Sequence, residues 1–293
     1  MPRLILEDVQ SILIEAVVAG AVEVLKTRQS HSVAAEYKDA KELVTTADRR
    51  SDDAILSVFT KRFTILDPSI VFQLEESGFS AAPASKIAGA DPLDGTNHFA
   101  AGGNLYSVQA HYVEDGLPLA GVVFQPEVYL PLDEEDQCTG RLTFAVRGGG
   151  AFIQRTRFNG HGFDLDEARS LMKRAAPLVR TYVACVPIGS KMTIEERERA
   201  IRVHGSGIIA ASTGTGGAGG NVIMAILGGQ HVYANFGAGE DLDLIPPQVI
   251  AEEAGMTVWG VDRRSPVWRT SKQPFVVAPS PEIAEEFLSA AGI

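Results

Sequence analysis

One short run carries residues that could do chemistry together. Asp91-Pro92-Leu93-Asp94-Gly95-Thr96-Asn97-His98-Phe99 sets two carboxylates three positions apart. Pro92 has no N–H and a fixed φ, so the backbone is stiff and the Leu93 carbonyl can point at whatever the carboxylates hold. Carboxylate plus carbonyl oxygen is the ligand set of a hard divalent cation such as Mg²⁺. Gly95 and Thr96 follow at once, and a helix starting there would offer free N–H groups to a phosphate. A cation cradle beside a phosphate cradle suggests metal-assisted chemistry on a phosphate ester. Asp and Gly also favour surface turns for local reasons alone, so the reading needs further carboxylates elsewhere. The run lacks the later ligands of an EF-hand. A phosphatase with an aspartyl nucleophile puts one residue, not two, between its aspartates.

The elements that must position this run can be read from periodicity. Val9, Ile12, Leu13, Ala16, Val17, Ala21 and Val24 recur at helical spacing, which predicts one amphipathic helix over about the first 23 residues after Arg3. Asp48 precedes a helical pattern with Ala54, Ile55, Val58 and Phe59 on one face, where an isolated Asp reads as a cap. Residues 70–74 read as a buried strand ending in Glu75-Glu76-Ser77-Gly78. That end of a strand is where open α/β architectures form sites. A short strand over residues 87–90 leads to a turn at Asp91. If the two strands are neighbours, Glu76, Asp91 and Asp94 converge. Residues 105–153 predict an antiparallel meander, with the acidic residues 133–136 as a solvated loop. Residues from about 155 to 180 join two halves.

The second half alternates strand and helix. Strands are predicted over 182–186, 231–234, 256–259 and 274–277, with an apolar run over 208–211. Thr193 and Glu196 form a capping box that opens a helix to about Val203. Helices follow over 221–227 and 281–291. Pro246 and Pro247 fit a first helical turn and Gly255 a C-terminal stop, which predicts a helix over 244–254 with Asp243 as its N-cap. The alternation is that of a layered α/β domain. The reading is one phosphatase domain over 1–293, with a metal- and phosphate-binding half over 1–155 and an α/β half over 180–293.

Composition narrows the function classes. The chain has 293 residues, 45% hydrophobic, with 29 glycines and a net charge of −11. That charge argues against a nucleic-acid polymer as partner. Part of it could be a carboxylate cluster that a cation neutralises. Cys138 and Cys185 match no zinc spacing, and buried thiols in a reducing cytosol are the expectation for both. No secretory signal opens the sequence and no run reaches 18 apolar residues, so the expectation is a cytoplasmic protein without a membrane partner. A competing motif is Gly214, Gly216 and Gly219, which match the dinucleotide fingerprint G-x-G-x-x-G and would predict an oxidoreductase. It falls late in the chain, however, and Asn235 occupies the region where an acidic residue should end a second strand.

Taken together, Glu76, Asp91, Asp94 and Asp243 make the chain resemble the inositol monophosphatase family, in the superfamily with fructose-1,6-bisphosphatase and the bisphosphate nucleotidases. Leu43-Val44-Thr45-Thr46-Ala47-Asp48, with Lys38 upstream, is similar to the family's early Asp-bearing segment. Glu75-Glu76-Ser77 is similar to its Glu-Glu-Ser, with Leu74 where Gly is usual. Asp91-Pro92-Leu93-Asp94-Gly95-Thr96 matches its most diagnostic motif, and Gly148-Gly149-Gly150-Ala151-Phe152 its Gly-Ala-Phe hairpin. Asp243, ten residues before Glu253-Ala254-Gly255, matches its Trp-Asp…Glu-Ala-Gly segment and is favoured by that spacing over Asp241.

The resemblance implies an α-β-α-β-α sandwich of the sugar-phosphatase type, a homodimer, and a small phosphate ester as substrate. It also implies two or three Mg²⁺ ions. One would lie between Glu76, Asp91 and the Leu93 carbonyl, a second among Asp91, Asp94 and Asp243, and a third at Glu76. Gly95 and Thr96 amides would hold phosphate, while Thr96 and Asp48 would orient the attacking water. Asn97 and His98 beside the phosphate, and Asn235 where inositol-specific members use a Glu, would face substrate. Leu242 replaces the family's Trp, and Leu244-Ile245-Pro246-Pro247 its small-residue helix start. Asn97-His98-Phe99 departs from Thr-Asn-Phe.

Overall fold

The apolar stripe near the N-terminus forms α1 (Leu6–Gln29), which buries Val9, Leu13, Ala16, Val17 and Val24. Glu7 and Asp8 in its first turn and Lys26 and Arg28 in its last complement the helix dipole. The computed structural model describes residues 5–30, 34–37, 43–79, 84–128, 139–173, 181–189, 192–214, 216–237, 241–266 and 274–293. Lys38, the acidic residues 133–136, Cys138 and part of the junction over 155–180 lie outside them.

An antiparallel pair, β1 (Ala35–Tyr37) and β2 (Leu43–Thr45), leads into α2 (Thr46–Leu66). There follow β3 (Val71–Leu74), β4 (Gly78–Phe79), β5 (Lys86–Asp94), α3 (Thr96–Ala100), β6 (Ser107–Glu114), β7 (Leu117–Gln125), β8 (Thr139–Val146), β9 (Gly150–Phe158), β10 (Phe163–Leu165) and β11 (Arg169–Ser170). Among the described residues these strands make one sheet in the order β10-β9-β8-β7-β6-β5-β3-β4, with β11 also on β9. Strands β6 to β9 are the expected meander, antiparallel throughout, and β5 joins it antiparallel to β6. The pair β3–β5 is parallel, so both strands end on the same side.

The rest comprises β12 (Tyr182–Cys185), α4 (Ile194–Gly205), β13 (Ile209–Ser212), α5 (Ala218–Leu227), β14 (Val232–Asn235), α6 (Asp241–Glu253), β15 (Thr257–Gly260), β16 (Phe275–Ala278) and α7 (Pro281–Ala291). The capping box of Thr193 and Glu196 opens α4 as expected. The second sheet runs β13-β12-β14-β16-β15.

Alternation along the strands assigns the layers. On β16, Phe275 and Val277 enter the core shared with α5 and α6, while Val276 and Ala278 enter the core shared with α4 and α7. On β6, Val108, Ala110 and Tyr112 meet α1 and α2, whereas Val113 faces α5 and α6. The layers are therefore α1/α2, first sheet, α5/α6, second sheet, α4/α7. This is the α-β-α-β-α sandwich. Among the described residues no helix is long and apolar enough to cross a membrane.

Two local expectations are corrected. The run at Asp91 is no turn: β5 continues through Asp94, pairing Asp91 with Gln109 and Asp94 with Ser107 across an irregular register. One extra residue lies between those pairs, which is a β-bulge, and Pro92 is tolerated there because a bulge needs no ladder N–H. Helix α6 starts at Asp241, not at Leu244, and Pro246 and Pro247 lie inside it. The prolines remove the N–H groups that would bond back to the carbonyls of Leu242 and Asp243. Burial holds the helix together through them, for the Pro246 carbonyl packs on Gly121 of β7, where any Cβ would overlap it.

Candidate active site

The bulge decides the geometry of the centre. In a regular strand, residues three apart point to opposite faces. The extra residue turns Asp94 to the same inner face as Asp91, and Leu93 points away into the core of α1 and α2. The first turn of α6 brings Asp243 over this end of β5. Ligand oxygens of Asp91, Asp94 and Asp243 lie within 4.8 Å of one another. Asp91 is 2% and Asp94 7% exposed. Charges this close repel by about 3 kcal/mol per pair even at an effective dielectric constant of ~20. Burial, with the charges of Glu75, Asp243 and Asp94, raises Asp91 well above the usual carboxylate range. Burial and Asp243 push Asp94 up to about 7, against three hydrogen bonds that lower it. A hard divalent cation is the partner that relieves such a cluster, and carboxylate oxygens are its donors.

Those three bonds tie the centre to α5. Asp94 accepts from the Ser107 hydroxyl at 2.9 Å and from the amides of Ala218 and Gly219 at 3.0 Å each. Asp94 thus satisfies the first free N–H groups of α5 from a distant strand. The glycine run before α5 serves this approach. A Cβ on Gly217 would overlap the Asp94 carboxylate, one on Gly219 the Gln109 amide, and one on Gly216 the Leu105 carbonyl and His98. Gly214, Gly216 and Gly219 therefore form no dinucleotide cradle, because Asp94 already occupies the helix amides.

Register decides which glutamate joins the centre. Leu74 pairs with Ala90, and both side chains enter the outer core. Asp91 follows Ala90 onto the inner face, and Glu75 is the glutamate whose charge acts on it. Glu75 is the largest of the neighbouring charges raising Asp91. Glu76, the glutamate expected here, has its backbone N–H on Asp52 Oδ1 at 3.2 Å.

Helix α2 supplies the rest. Thr45 caps it, and Asp48 closes the capping box by accepting from the Thr45 N–H at 2.7 Å and hydroxyl at 2.5 Å. Asp48 is thus the third residue of the helix rather than its N-cap, a place that Thr45 takes. Its second oxygen, Oδ1, lies 3.0 Å from Thr96 Oγ1, which is also 3.0 Å from the Leu93 carbonyl. One hydroxyl proton serves one of these acceptors at a time. Burial raises Asp48 above the usual range. Ser51 donates to the Pro92 carbonyl at 2.8 Å and so braces the bulge.

Gly95, at φ +95°, starts α3, whose first amides belong to Thr96 and Asn97. Asn97 and His98 are exposed. Arg28 fixes the other end of α3, donating to the Gly103 carbonyl at 2.5 Å, pairing with Glu127 at 2.7 Å and lying 4.6 Å over Phe99. Strand β14 ends at the centre: its Tyr233 feels Asp94 and Asp243, and Asn235 closes the strand with Oδ1 on the Gly237 N–H at 2.9 Å.

Sequence reasoning missed Ser51, Asp52, Gln109 and His111. The first two follow Asp48 at i+3 and i+4, one helix face, which was the available signal. Gln109 and His111 alternate along β6 onto the inner face. Both are fully buried, and none of their side-chain polar atoms has a partner among the described residues. The imidazole fills the space left by Gly89, and burial lowers it to about 3, so it is neutral.

Known proteins are similar to this chain in sequence and in fold. An inositol-1-monophosphatase of Mesorhizobium japonicum is 32% identical over 121 residues, 41% of this chain and 40% of that protein. A fructose-1,6-bisphosphatase/inositol-1-monophosphatase of Thermotoga maritima is 31% identical over 179 residues, 60% of each. The alignments thus span between two fifths and three fifths of these relatives. In fold, the extragenic suppressor protein SuhB of Bartonella henselae superposes with a TM-score of 0.74 at 18% identity, covering 97% of this chain and 98% of that one. An IMPase/NADP phosphatase solved with Mg²⁺ and phosphate gives 0.66 at 16% identity, covering 92% and 90%. The sequence pattern of the inositol monophosphatase family extends over residues 5–292, and this chain belongs to that family.

Proposed function

We propose that this protein is a Mg²⁺-dependent phosphomonoesterase that hydrolyses a small phosphorylated polyol or sugar. The observation that carries the reading is the triad of Asp91, Asp94 and Asp243, the first two buried, whose ligand oxygens lie within 4.8 Å of one another. Asp91, Asp94, Asp243, the Leu93 carbonyl and Glu75 would hold two Mg²⁺ ions. Glu75 takes the role expected of Glu76, because its charge is the one that acts on Asp91. A third ion at this glutamate belongs to the same reading. When bound, Mg²⁺ screens the phosphate, lowers the pKa of coordinated water and stabilises a leaving alkoxide.

The chain's own groups do the positioning, which dominates phosphoryl transfer. The amides of Gly95, which caps α3, and of Thr96, its first residue, would meet the phosphate oxygens. Thr96 Oγ1 gives its proton to Asp48 Oδ1 and turns a lone pair to the attacking water. Burial raises Asp48 above the usual carboxylate range, which favours its taking a proton. Asn97, His98 and Asn235 would meet the alcohol part of the substrate. The complete carboxylate set favours catalysis over a non-catalytic relative. A sugar bisphosphate or a 3′(2′),5′-bisphosphate nucleotide is the alternative substrate, and the double name of the Thermotoga maritima relative favours testing the former. A homodimer working in the cytoplasm is part of the proposal.

Calorimetric Mg²⁺ titration tests the metal centre directly. Saturable binding in wild type, lost in Asp91→Asn with its circular dichroism unchanged, is expected. Equal binding by the two proteins would remove the basis of the reading.

A further inference from the structure

Asp52 has no part in the reaction described above, yet it is 1% exposed, in the second turn of α2. Burying a carboxylate is unfavourable unless its oxygens are satisfied. Both are satisfied by one short segment. Oδ1 accepts from the Glu76 N–H at 3.2 Å, and Oδ2 accepts from the Ser77 hydroxyl. The Ser77 backbone also bonds to this carboxylate. The fork therefore grips the two residues that directly follow Glu75, at the point where β3 ends and its sheet hydrogen bonds stop. Beyond them Gly78, at φ +87°, turns the chain into β4. Asp48, Ser51 and Asp52 share one face of α2 and hold Thr96, the Pro92 carbonyl and the Glu75 turn respectively.

We propose that Asp52 is a positioning residue that sets the Glu75 carboxylate against Asp91 and thereby sets the affinity of the first cation site. The inference rests on the reading that Glu75 belongs to the metal centre. The direction of a carboxylate depends on the backbone that carries it. Fixing the two peptide units after it limits the directions Glu75 can take, and partners behind a metal ligand typically change metal affinity by about 10- to 100-fold.

The experiment is Mg²⁺ titration by calorimetry on the full chain, for wild type, Glu75→Gln, Asp52→Asn, Asp52→Glu and Ser77→Ala. Thermal unfolding in chelator is measured alongside. Asp52→Asn is expected to weaken Mg²⁺ binding about 10-fold or more, Ser77→Ala by less, and Asp52→Glu to recover part of the loss. A purely structural Asp52 would lower the melting temperature in chelator and leave the Mg²⁺ dissociation constant of the folded protein unchanged, which overturns the proposal. If Asp52→Asn does not fold, Ser77→Ala decides: weaker Mg²⁺ binding supports the proposal and unchanged binding overturns it. Unchanged binding in Glu75→Gln would instead remove the reading beneath it, and the proposal with it.

Discussion

Asp94 does two jobs with one side chain. It satisfies the first amides of α5, and it supplies an oxygen to a triad whose charges repel. The two jobs separate in Asp94→Asn. Asparagine keeps one acceptor oxygen of similar shape, so the cap survives in part, but the charge that holds a cation is gone. Turnover should fall at least about 100-fold, beyond the loss typical of a residue behind the ligands, while the circular dichroism spectrum stays that of wild type. Phosphate release at saturating Mg²⁺ checks this, and retained activity would contradict the role given to Asp94. Thr96 and Asp48 are linked just as closely. At 3.0 Å the hydroxyl reaches Asp48, so catalysis should depend on both groups without either touching the triad.

At the scale of elements, most of the frame could be read from spacing. The α1 stripe, the α4 capping box, the meander and the alternating second half all follow local periodicity, and local periodicity survives into the fold. What could not be read depends on pairing between distant segments. The bulge at Pro92 shows itself only when β5 is set against β6, so the sequence suggested a turn where the strand continues. Likewise Glu75 and Glu76 are indistinguishable until Leu74 is paired with Ala90. Proline signals a first turn locally, yet α6 starts at Asp241 and carries two prolines further in, with the Pro246 carbonyl packed on Gly121. The glycine run before α5 reads as a nucleotide motif until Asp94 is seen against Gly217. This contact predicts a cost: Gly217→Ala should destabilise the protein by about 1–3 kcal/mol, as overpacking does. Mg²⁺ affinity should weaken with it, because the new methyl group pushes on the Asp94 carboxylate. Urea unfolding with and without Mg²⁺ measures both effects.

For the whole molecule, the buried carboxylates make stability a function of pH and of metal. In chelator, Asp94 has a folded pKa raised to about 7, far above the ~3.9 of an unfolded aspartate. A raised carboxylate favours the folded state fully below its unfolded pKa, and that contribution is lost as pH rises through the folded value. Asp91, Asp48 and Asp52 are raised as well and act in the same direction. Asp67, which Lys86 lowers to about 2, acts in the opposite sense, but in a window below pH ~4. The melting temperature in chelator should therefore fall between pH ~5 and ~8, and added Mg²⁺ should raise it more at the alkaline end. A profile that is flat in chelator and unmoved by Mg²⁺ would contradict this account of the triad. The most direct test of the central claim is phosphate release from a panel of esters, with Mg²⁺ and with chelator. The panel is inositol phosphates, sugar phosphates, fructose bisphosphate and adenosine bisphosphate. Release from at least one small ester that requires Mg²⁺ and stops in chelator is the predicted result. A folded, Mg²⁺-binding protein that releases phosphate from none of them, or releases it equally in chelator, would contradict the claim.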